Sequence, residues 1–183
     1  MKNLPLFDVD QYKKILAFAL AAHGKQKTPT GLPYSYHIVS VSMEVINSLP
    51  MLGLSYREAN IAITCALLHD IKEDTKALLN FNLDITDSFV IFDGVDALTK
   101  NTNLPTKQEQ MIDSLNRLLT QDNCIQLVKL CDRITNLDPA PAQWSKQKII
   151  DYKNEAILIH ETLKNSNEYL ADKLLNKIEN YLT

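Results

Sequence analysis

The 183-residue chain is short of glycine, with only four, and no segment shows the apolar–polar alternation of a half-buried strand. It shows no repeat period and no linker-like stretch, so one domain over residues 1–183 is expected, long enough for a core of its own. The basic excess of a duplex-binding protein is missing too: Lys and Arg number 19 against 22 Asp and Glu, for a net charge of −3. With 45% hydrophobic and 22% charged residues, composition points to neither disorder nor a membrane protein. Nucleic acid and membrane are therefore not expected as partners, whereas a small phosphorylated ligand could be served by local Lys and Arg. The cysteines are odd in number and lack zinc-type spacing. Cys65, Cys124 and Cys131 each fall in an apolar helical pattern, as reduced core residues of a cytoplasmic protein would. The apolar run 15–22 after Lys13-Lys14 is as long as a signal-peptide core, but Asp8 and Asp10 upstream oppose that reading and the same residues form a good amphipathic helix.

What is present is a series of helix starts and stops, giving an expected all-α fold of about eight helices. Asp8 with Gln11 opens a helix through His23, which Gly24 ends; Tyr12, Ile15, Leu16 and Ala19 form its inner stripe. Residues 25–33 form a loop with two lysines, two prolines and Gly31. A helix over 35–48 should bury Ile38, Val41, Val45 and Ile46 and break at Pro50 and Gly53. Ser55 with Glu58 boxes a third helix, carrying Ile61, Ala62, Cys65 and Leu68 down to His69-Asp70. Residues 76–81 suggest one helical turn and 82–87 a polar connection, followed by a helix over 88–100 with Phe89, Phe92 and Leu98 buried. Thr106 and Glu109 box a helix carrying Met111, Ile112, Leu115 and Leu119. Asp122 caps a helix over 125–136 that is apolar nearly all round and hence central, ended by Asp138-Pro139-Ala140-Pro141. Two closing helices, 146–164 and 168–182, carry plain core stripes: Ile149, Tyr152, Ala156, Ile159 and Leu163, then Leu170, Leu174, Ile178 and Tyr181.

Against this apolar background one stretch stands out: Ala66-Leu67-Leu68-His69-Asp70-Ile71-Lys72-Glu73-Asp74. In a continuous helix His69 and Glu73 would share a face, as would Asp70 and Asp74. Packing alone does not call for three carboxylates and an imidazole where a buried helix emerges; a hard divalent cation does. Two further segments repeat the pattern. Gly31-Leu32-Pro33-Tyr34-Ser35-Tyr36-His37 delivers a histidine at the first turn of a helix. In Leu127-Val128-Lys129-Leu130-Cys131-Asp132-Arg133 a carboxylate interrupts an apolar helix, which is costly unless it is paired or holds a metal. A salt bridge to Lys129 is the plainer explanation for Asp132; adjacent helical residues point apart, which disfavours Arg133.

The ordered motifs Gly-x-Pro-Tyr-x-x-His, Leu-Leu-His-Asp-x-x-Glu-Asp-Thr and Val-Lys-Leu-x-Asp-Arg, with Val95-Asp96-Ala97-Leu98-Thr99-Lys100 between them, resemble the hydrolase domain of RelA/SpoT proteins. These belong to the HD-domain metal-dependent phosphohydrolases. The resemblance runs from the first helix to Asn136 and implies an HD-domain helical bundle. It also implies a metal site of His37, His69, Asp70 and Asp132, with Mn2+ as the usual ion, and a catalytic acidic pair, Glu73 and Asp74. The implied activity is hydrolysis of the 3′-pyrophosphate of guanosine tetraphosphate/pentaphosphate (ppGpp-type) alarmones of the stringent response. Such a cation leaves room for water and lowers its pKa, and the acidic pair would orient that water and handle its proton. Substrate contacts would fall on Lys25, Lys27, Thr28, Tyr34, Lys129 and Asn136. A chain of this length has room for the hydrolase domain and not for synthetase or regulatory domains, as in a small stand-alone alarmone hydrolase. His23, before Gly24, and His160, outside any motif, read as structural or solvated.

Two departures bear on the substrate. Thr28-Pro29 stand where the family carries an Arg-Lys pair that helps hold the base, and Asp138 and Pro139 replace an Arg and a Thr; lysine or threonine does not reproduce the planar fork of arginine. Alternatives are another nucleotide (an adenine alarmone or the 2′-phosphate of NADPH) or a nucleotide sensor with vestigial activity. The retained acidic pair opposes the sensor, which needs only the grip.

Overall fold

The computed structural model describes residues 5–77 and 85–181. Over these residues the chain is helical: α1 (Val9–His23), α2 (Tyr34–Leu52), α3 (Tyr56–Leu68), the single turn α4 (Ile71–Asp74), α5 (Ser88–Leu98), α6 (Lys107–Leu118), α7 (Asn123–Asn136), α8 (Lys146–Leu163) and α9 (Glu168–Glu179). The only β pairing among the described residues is an isolated bridge between Lys27 and Pro33.

The starts lie where side-chain acceptors can satisfy the first free N–H groups. Ser55 with Glu58 and Thr106 with Glu109 form complete capping boxes. Asp8 caps α1 by accepting from the N–H groups of Asp10 and Gln11. Its box stays half made, because the Asp8 N–H donates to Asn60 Oδ1 (2.6 Å) while the Gln11 amide donates to Thr64 Oγ1 (3.0 Å), both on α3.

The centre is α7, buried continuously from Cys124 to Ile134 and packed against α2, α3, α8 and α9. α5 closes onto this centre at Gly94, where a Cβ would come within 2.9 Å of Ile125 Cδ1 and 3.2 Å of Cys65 Sγ. The three cysteines are free and buried. Burial pushes the Cys65 and Cys131 thiols up, leaving them protonated and inert.

Several expectations are corrected. Pro50 does not end α2, which runs on to Leu52. The lost N–H costs one bond in the last turn, while buried Leu49 and Leu52 hold that turn to the core; the stop is Gly53, at φ +63. Phe89 is not buried but 74% exposed, since Ile91, Val95 and Leu98 make the inner stripe of α5. In α6 the buried face is Met111, Ser114, Leu115 and Leu118, and Ile112 and Leu119 look outward. The expected turn over 76–81 lies largely outside the described residues, as does Leu182. α3 stops at Leu68 and Asp70 takes φ −100, ψ 1 before α4 begins. The third helix thus ends close to the expected His69-Asp70, and the spacing argument that would carry it on to Asp74 does not apply across this break.

Candidate active site

Three elements deliver polar groups to one point. The loop before α2 folds back on itself: the Thr28 N–H donates to Leu32 O (2.8 Å) and the Tyr34 N–H to Gln26 O (2.9 Å). Gly31 supplies the left-handed turn at φ +87. This closure fixes where α2 starts and places His37 in its first turn. The apolar interior of α3 ends in His69, and the bend that follows turns Asp70 back toward it. Asp132 arrives from the buried stretch of α7.

His37 Nε2 lies 3.1 Å from His69 Nε2, 3.4 Å from Asp70 Oδ2 and 3.4 Å from Asp132 Oδ1. His69 Nε2 is 2.9 Å from Asp70 Oδ2 and 3.7 Å from Asp132 Oδ1. An ion with ligands at about 2.1 Å in an octahedral shell has neighbouring ligand atoms about 3 Å apart, which is the spacing seen here. His69 Nδ1 is held by Ala66 O at 2.8 Å, leaving Nε2 for the cluster. His37, His69 and Asp132 form a buried group able to grip one ion, and Asp70 stands beside both imidazoles. Two imidazoles and two carboxylates, without sulfur, suit a first-row divalent cation.

Burial penalises the charged form of His69, but the Asp70 and Asp132 carboxylates outweigh it and raise its pKa to about 9. Burial likewise opposes the Asp70 carboxylate, yet His69 and His37 hold it well below the usual carboxylate range. Asp132 is lowered against its burial chiefly by Lys129. Lys129 Nζ donates to Asp132 Oδ2 (3.2 Å) and Asn136 Nδ2 to Oδ1 (2.5 Å). Arg133 points the other way, to Glu155, with its guanidinium 4.3 Å from the centre of the Tyr152 ring. The Tyr34 hydroxyl donates to Asp70. Burial and the Asp70 and Asp74 carboxylates push that phenol far up, so it stays protonated.

Beside the cluster opens a cavity of about 510 Å³. Of the residues singled out in the sequence, Lys27, Thr28, Tyr34, His37, Asp74 and Asn136 are on its wall. Lys25 is exposed and off the wall, and Lys129 is buried against Asp132. Glu73 and Asp74 are both exposed and, as neighbours in one helical turn, point apart: Glu73 accepts from the Lys100 N–H (3.3 Å), while Asp74 accepts from the Gln26 amide (2.7 Å). Pro29, Asp138 and Pro139 also line the cavity, so the positions that depart from the family pattern gather here. Sequence reasoning missed Gln26, Trp144 and Tyr152 on the wall. Trp144 lies in an unpatterned connector and Tyr152 in an ordinary core stripe, so neither carried a signal. His23, buried and stacked on Tyr34 at 4.7 Å, backs the site; His160 is buried away from it beside Glu161.

No family model matches the chain. Over 129 residues it is 36% identical to the GTP pyrophosphokinase rsh of Brucella abortus, an overlap of 68% of this chain and 16% of that protein. Over 132 residues it is 30% identical to the guanosine-3′,5′-bis(diphosphate) 3′-pyrophosphohydrolase of Aquifex aeolicus, covering 70% of this chain and 17% of that one. The chain thus spans less than a fifth of the length of these relatives. It is 27% identical over 163 residues to the guanosine-3′,5′-bis(diphosphate) 3′-pyrophosphohydrolase MESH1 of Danio rerio, with 86% of both chains covered. Among solved structures, a metazoan ortholog of SpoT described as hydrolyzing ppGpp superposes with a TM-score of 0.77 at 23% identity, covering 94% of this chain and 96% of that one. The fold is the HD-domain helical bundle. Within that class the chain is similar in sequence to the RelA/SpoT-type proteins of Brucella and Aquifex over about two thirds of its length, and to the short MESH1 protein of Danio rerio over most of both chains.

Proposed function

We propose that the protein hydrolyses the 3′-pyrophosphate of guanosine tetraphosphate- and pentaphosphate-type alarmones, releasing pyrophosphate, with manganese as its cation. The observation that carries this is that the His37 and His69 imidazoles, 3.1 Å apart, each stand 2.9–3.7 Å from the carboxylates of Asp70 and Asp132, beside a cavity of nucleotide size. The Aquifex and Danio relatives are named for this reaction, which supports the assignment.

The site gathers three carboxylates, Asp70, Asp74 and Asp132, and the one lysine buried with them, Lys129, is already matched to Asp132. Such a surface repels a polyphosphate until cationic charge is added. His37, His69 and Asp132, with Asp70 beside them, would hold a divalent cation, which would supply that charge and lower the pKa of a water molecule. In the hydrolysis an oxygen of water bonds to the 3′ phosphorus and the bond to the ribose 3′ oxygen breaks. The attacking water loses a proton and the leaving ribose oxygen gains one. Asp74, on the cavity wall, is placed to accept and return that proton; Glu73 is the second carboxylate of the same turn. Tyr34 orients Asp70 through its hydroxyl, and Asn136 with Lys129 fixes Asp132. Lys27, with Thr28 beside it, lies where it can meet substrate phosphate.

No helix among the described residues is long and apolar enough to cross a membrane, and three buried free thiols fit a reducing compartment. A cytoplasmic location is part of the proposal.

A second reading, another phosphorylated nucleotide, is favoured by one observation: Thr28, Pro29, Asp138 and Pro139 all face the cavity where a base would be read. A product screen over guanine and adenine 3′-diphosphates and NADPH, with manganese added, separates the two. Pyrophosphate from guanosine 3′,5′-bis(diphosphate) is the expected result. Inorganic phosphate from NADPH alone would replace the alarmone assignment, and no product from any nucleotide would leave a binding role.

A further inference from the structure

Asp74 reaches the cavity from a four-residue turn anchored by fully buried Ile71, and its carboxylate is not left to rotate. The Gln26 amide donates through Nε2 to Asp74 Oδ2 at 2.7 Å, and its Oε1 lies 2.8 Å from His23 Nδ1. A carboxylate can only accept, so the Gln26 NH₂ must face Asp74 and its oxygen must face His23. His23 therefore carries its proton on Nδ1, and that proton locks the amide against flipping. Every part of this array is itself held. The Gln26 N–H donates to His23 O at 3.0 Å and its carbonyl accepts from the Tyr34 N–H at 2.9 Å. The His23 ring is 7% exposed and lies nearly parallel to Tyr34, at an interplanar angle of 19°. Gly24, at φ +51, ends α1 and turns the chain so that residues 23 and 26 can face one another.

We propose that His23 and Gln26 are positioning residues for the reaction, a proton-fixed imidazole–amide pair that aims the Asp74 carboxylate into the cavity. The inference rests on the role assigned to Asp74 under Proposed function. Neither residue need touch substrate or cation to act: the pair supplies a donor of fixed direction, so that the free oxygen of Asp74 keeps one orientation through the proton transfers. A histidine at the end of a helix would ordinarily serve the helix dipole. Here it is buried, stacked and bonded to a side chain.

The test is a double-mutant cycle with guanosine 3′,5′-bis(diphosphate) and added manganese, run beside bound-manganese content and thermal melting. Gln26→Leu should lower kcat about 10–100-fold, the scale for losing a partner that orients a functional group, while KM, metal content and melting stay close to wild type. In an Asp74→Asn background the same change should cost nothing further, because the group it orients is already gone. Should Gln26→Leu fold poorly, Gln26→Glu keeps the shape and removes the donor, and the same loss is expected. His23→Phe keeps the stacked ring without its Nδ1–H and should fall between wild type and Gln26→Leu. An undiminished kcat in Gln26→Leu, or an equal loss in both backgrounds, overturns the inference and leaves Asp74 its role. A fully active Asp74→Asn removes the role of Asp74 first and the inference with it. Without any substrate, ¹⁵N shifts of the His23 ring should show the Nδ1–H tautomer; the Nε2–H tautomer would also overturn the assignment.

Discussion

Asp132 has to satisfy two demands with one carboxylate. Oδ2 meets buried Lys129, and Oδ1 faces His37, His69 and Asn136. Asp132→Asn keeps the shape but removes the charge, so it should abolish tight manganese binding and activity together. Elemental analysis checks this, and full occupancy in both Asp132→Asn and His69→Ala would refute the metal site. Protons enter the same equilibrium. In the metal-free protein the His69 pKa is raised to about 9, so at neutral pH a cation must displace its proton. Manganese affinity should climb by up to about tenfold per pH unit and level off above about pH 9, with roughly one proton released per ion at pH 7. Calorimetry in buffers of different ionisation enthalpy measures that proton. The sign for folding is the reverse. Because the folded value is above the ordinary 6.5, the protonated imidazole stabilises the metal-free fold at low pH, and that contribution is lost as pH rises through about 9. His69, Asp70 and Asp132 were legible in the sequence because they end or interrupt an apolar helix where packing would not place them; His37, in the first turn of its helix, and the grouping of all four as one ligand set came from the resemblance to the RelA/SpoT motifs. Gln26 and Trp144 were not legible, since a polar loop residue and a connector aromatic break no pattern.

The turn α4 shows where a helical spacing argument stops working. Four-residue intervals place His69 with Glu73 and Asp70 with Asp74 only if the helix continues, and Asp70 leaves helical geometry at ψ 1. That residue bonds to Tyr34 and faces two imidazoles, and these long-range partners override the local helical preference. Within α4 the two adjacent acids point apart, as neighbours on a helix do. Asp74 lines the cavity under the Gln26 amide, whereas Glu73, equally exposed, accepts from the Lys100 N–H at the start of the connector after α5. Asp74→Asn should therefore lower turnover by about a hundredfold or more, the scale of lost acid–base help. Glu73→Gln should lower it less, and both should keep the metal. Steady-state kinetics on the two variants checks the order; an intact Asp74→Asn beside a crippled Glu73→Gln would reverse the assignment. Elsewhere, element boundaries were readable wherever a capping box or a left-handed glycine set them, at Ser55, Thr106 and Gly24. Pro50 and Phe89 were misjudged because tertiary burial, of Leu49 and Leu52 in one case and of Ile91 in the other, decided what local pattern left open.

At the scale of the whole molecule the cavity joins segments far apart in sequence. The loop before α2 meets the connector between α7 and α8, and the Gln143 amide donates to Pro29 O at 2.7 Å to tie them. Trp144 packs edge-on against Tyr152, with ring centres 5.1 Å apart, and both face the space between. An aromatic wall gives any base a stacking surface worth about 1–3 kcal/mol without choosing among bases. Choosing needs directed donors, and at Thr28, Pro29, Asp138 and Pro139 the chain has no arginine fork to provide them. The phosphate end needs charge more than shape, and on the proposed function a cation held by His37, His69 and Asp132, together with Lys27 on the wall, would supply it. The expected outcome is hydrolysis of guanosine 3′-diphosphates with weak preference over the matched adenine nucleotides. Trp144→Ala should raise KM for both by about tenfold or more, since stacking serves either base. Thr28→Arg should restore a forked donor on the cavity wall and raise kcat/KM for guanine over adenine, each regained contact being worth roughly 1–3 kcal/mol. Matched kinetics on the two nucleotides decides the matter: a guanine preference already strong in the wild type, or one that Thr28→Arg leaves unchanged, would mean the base is read from another part of the wall.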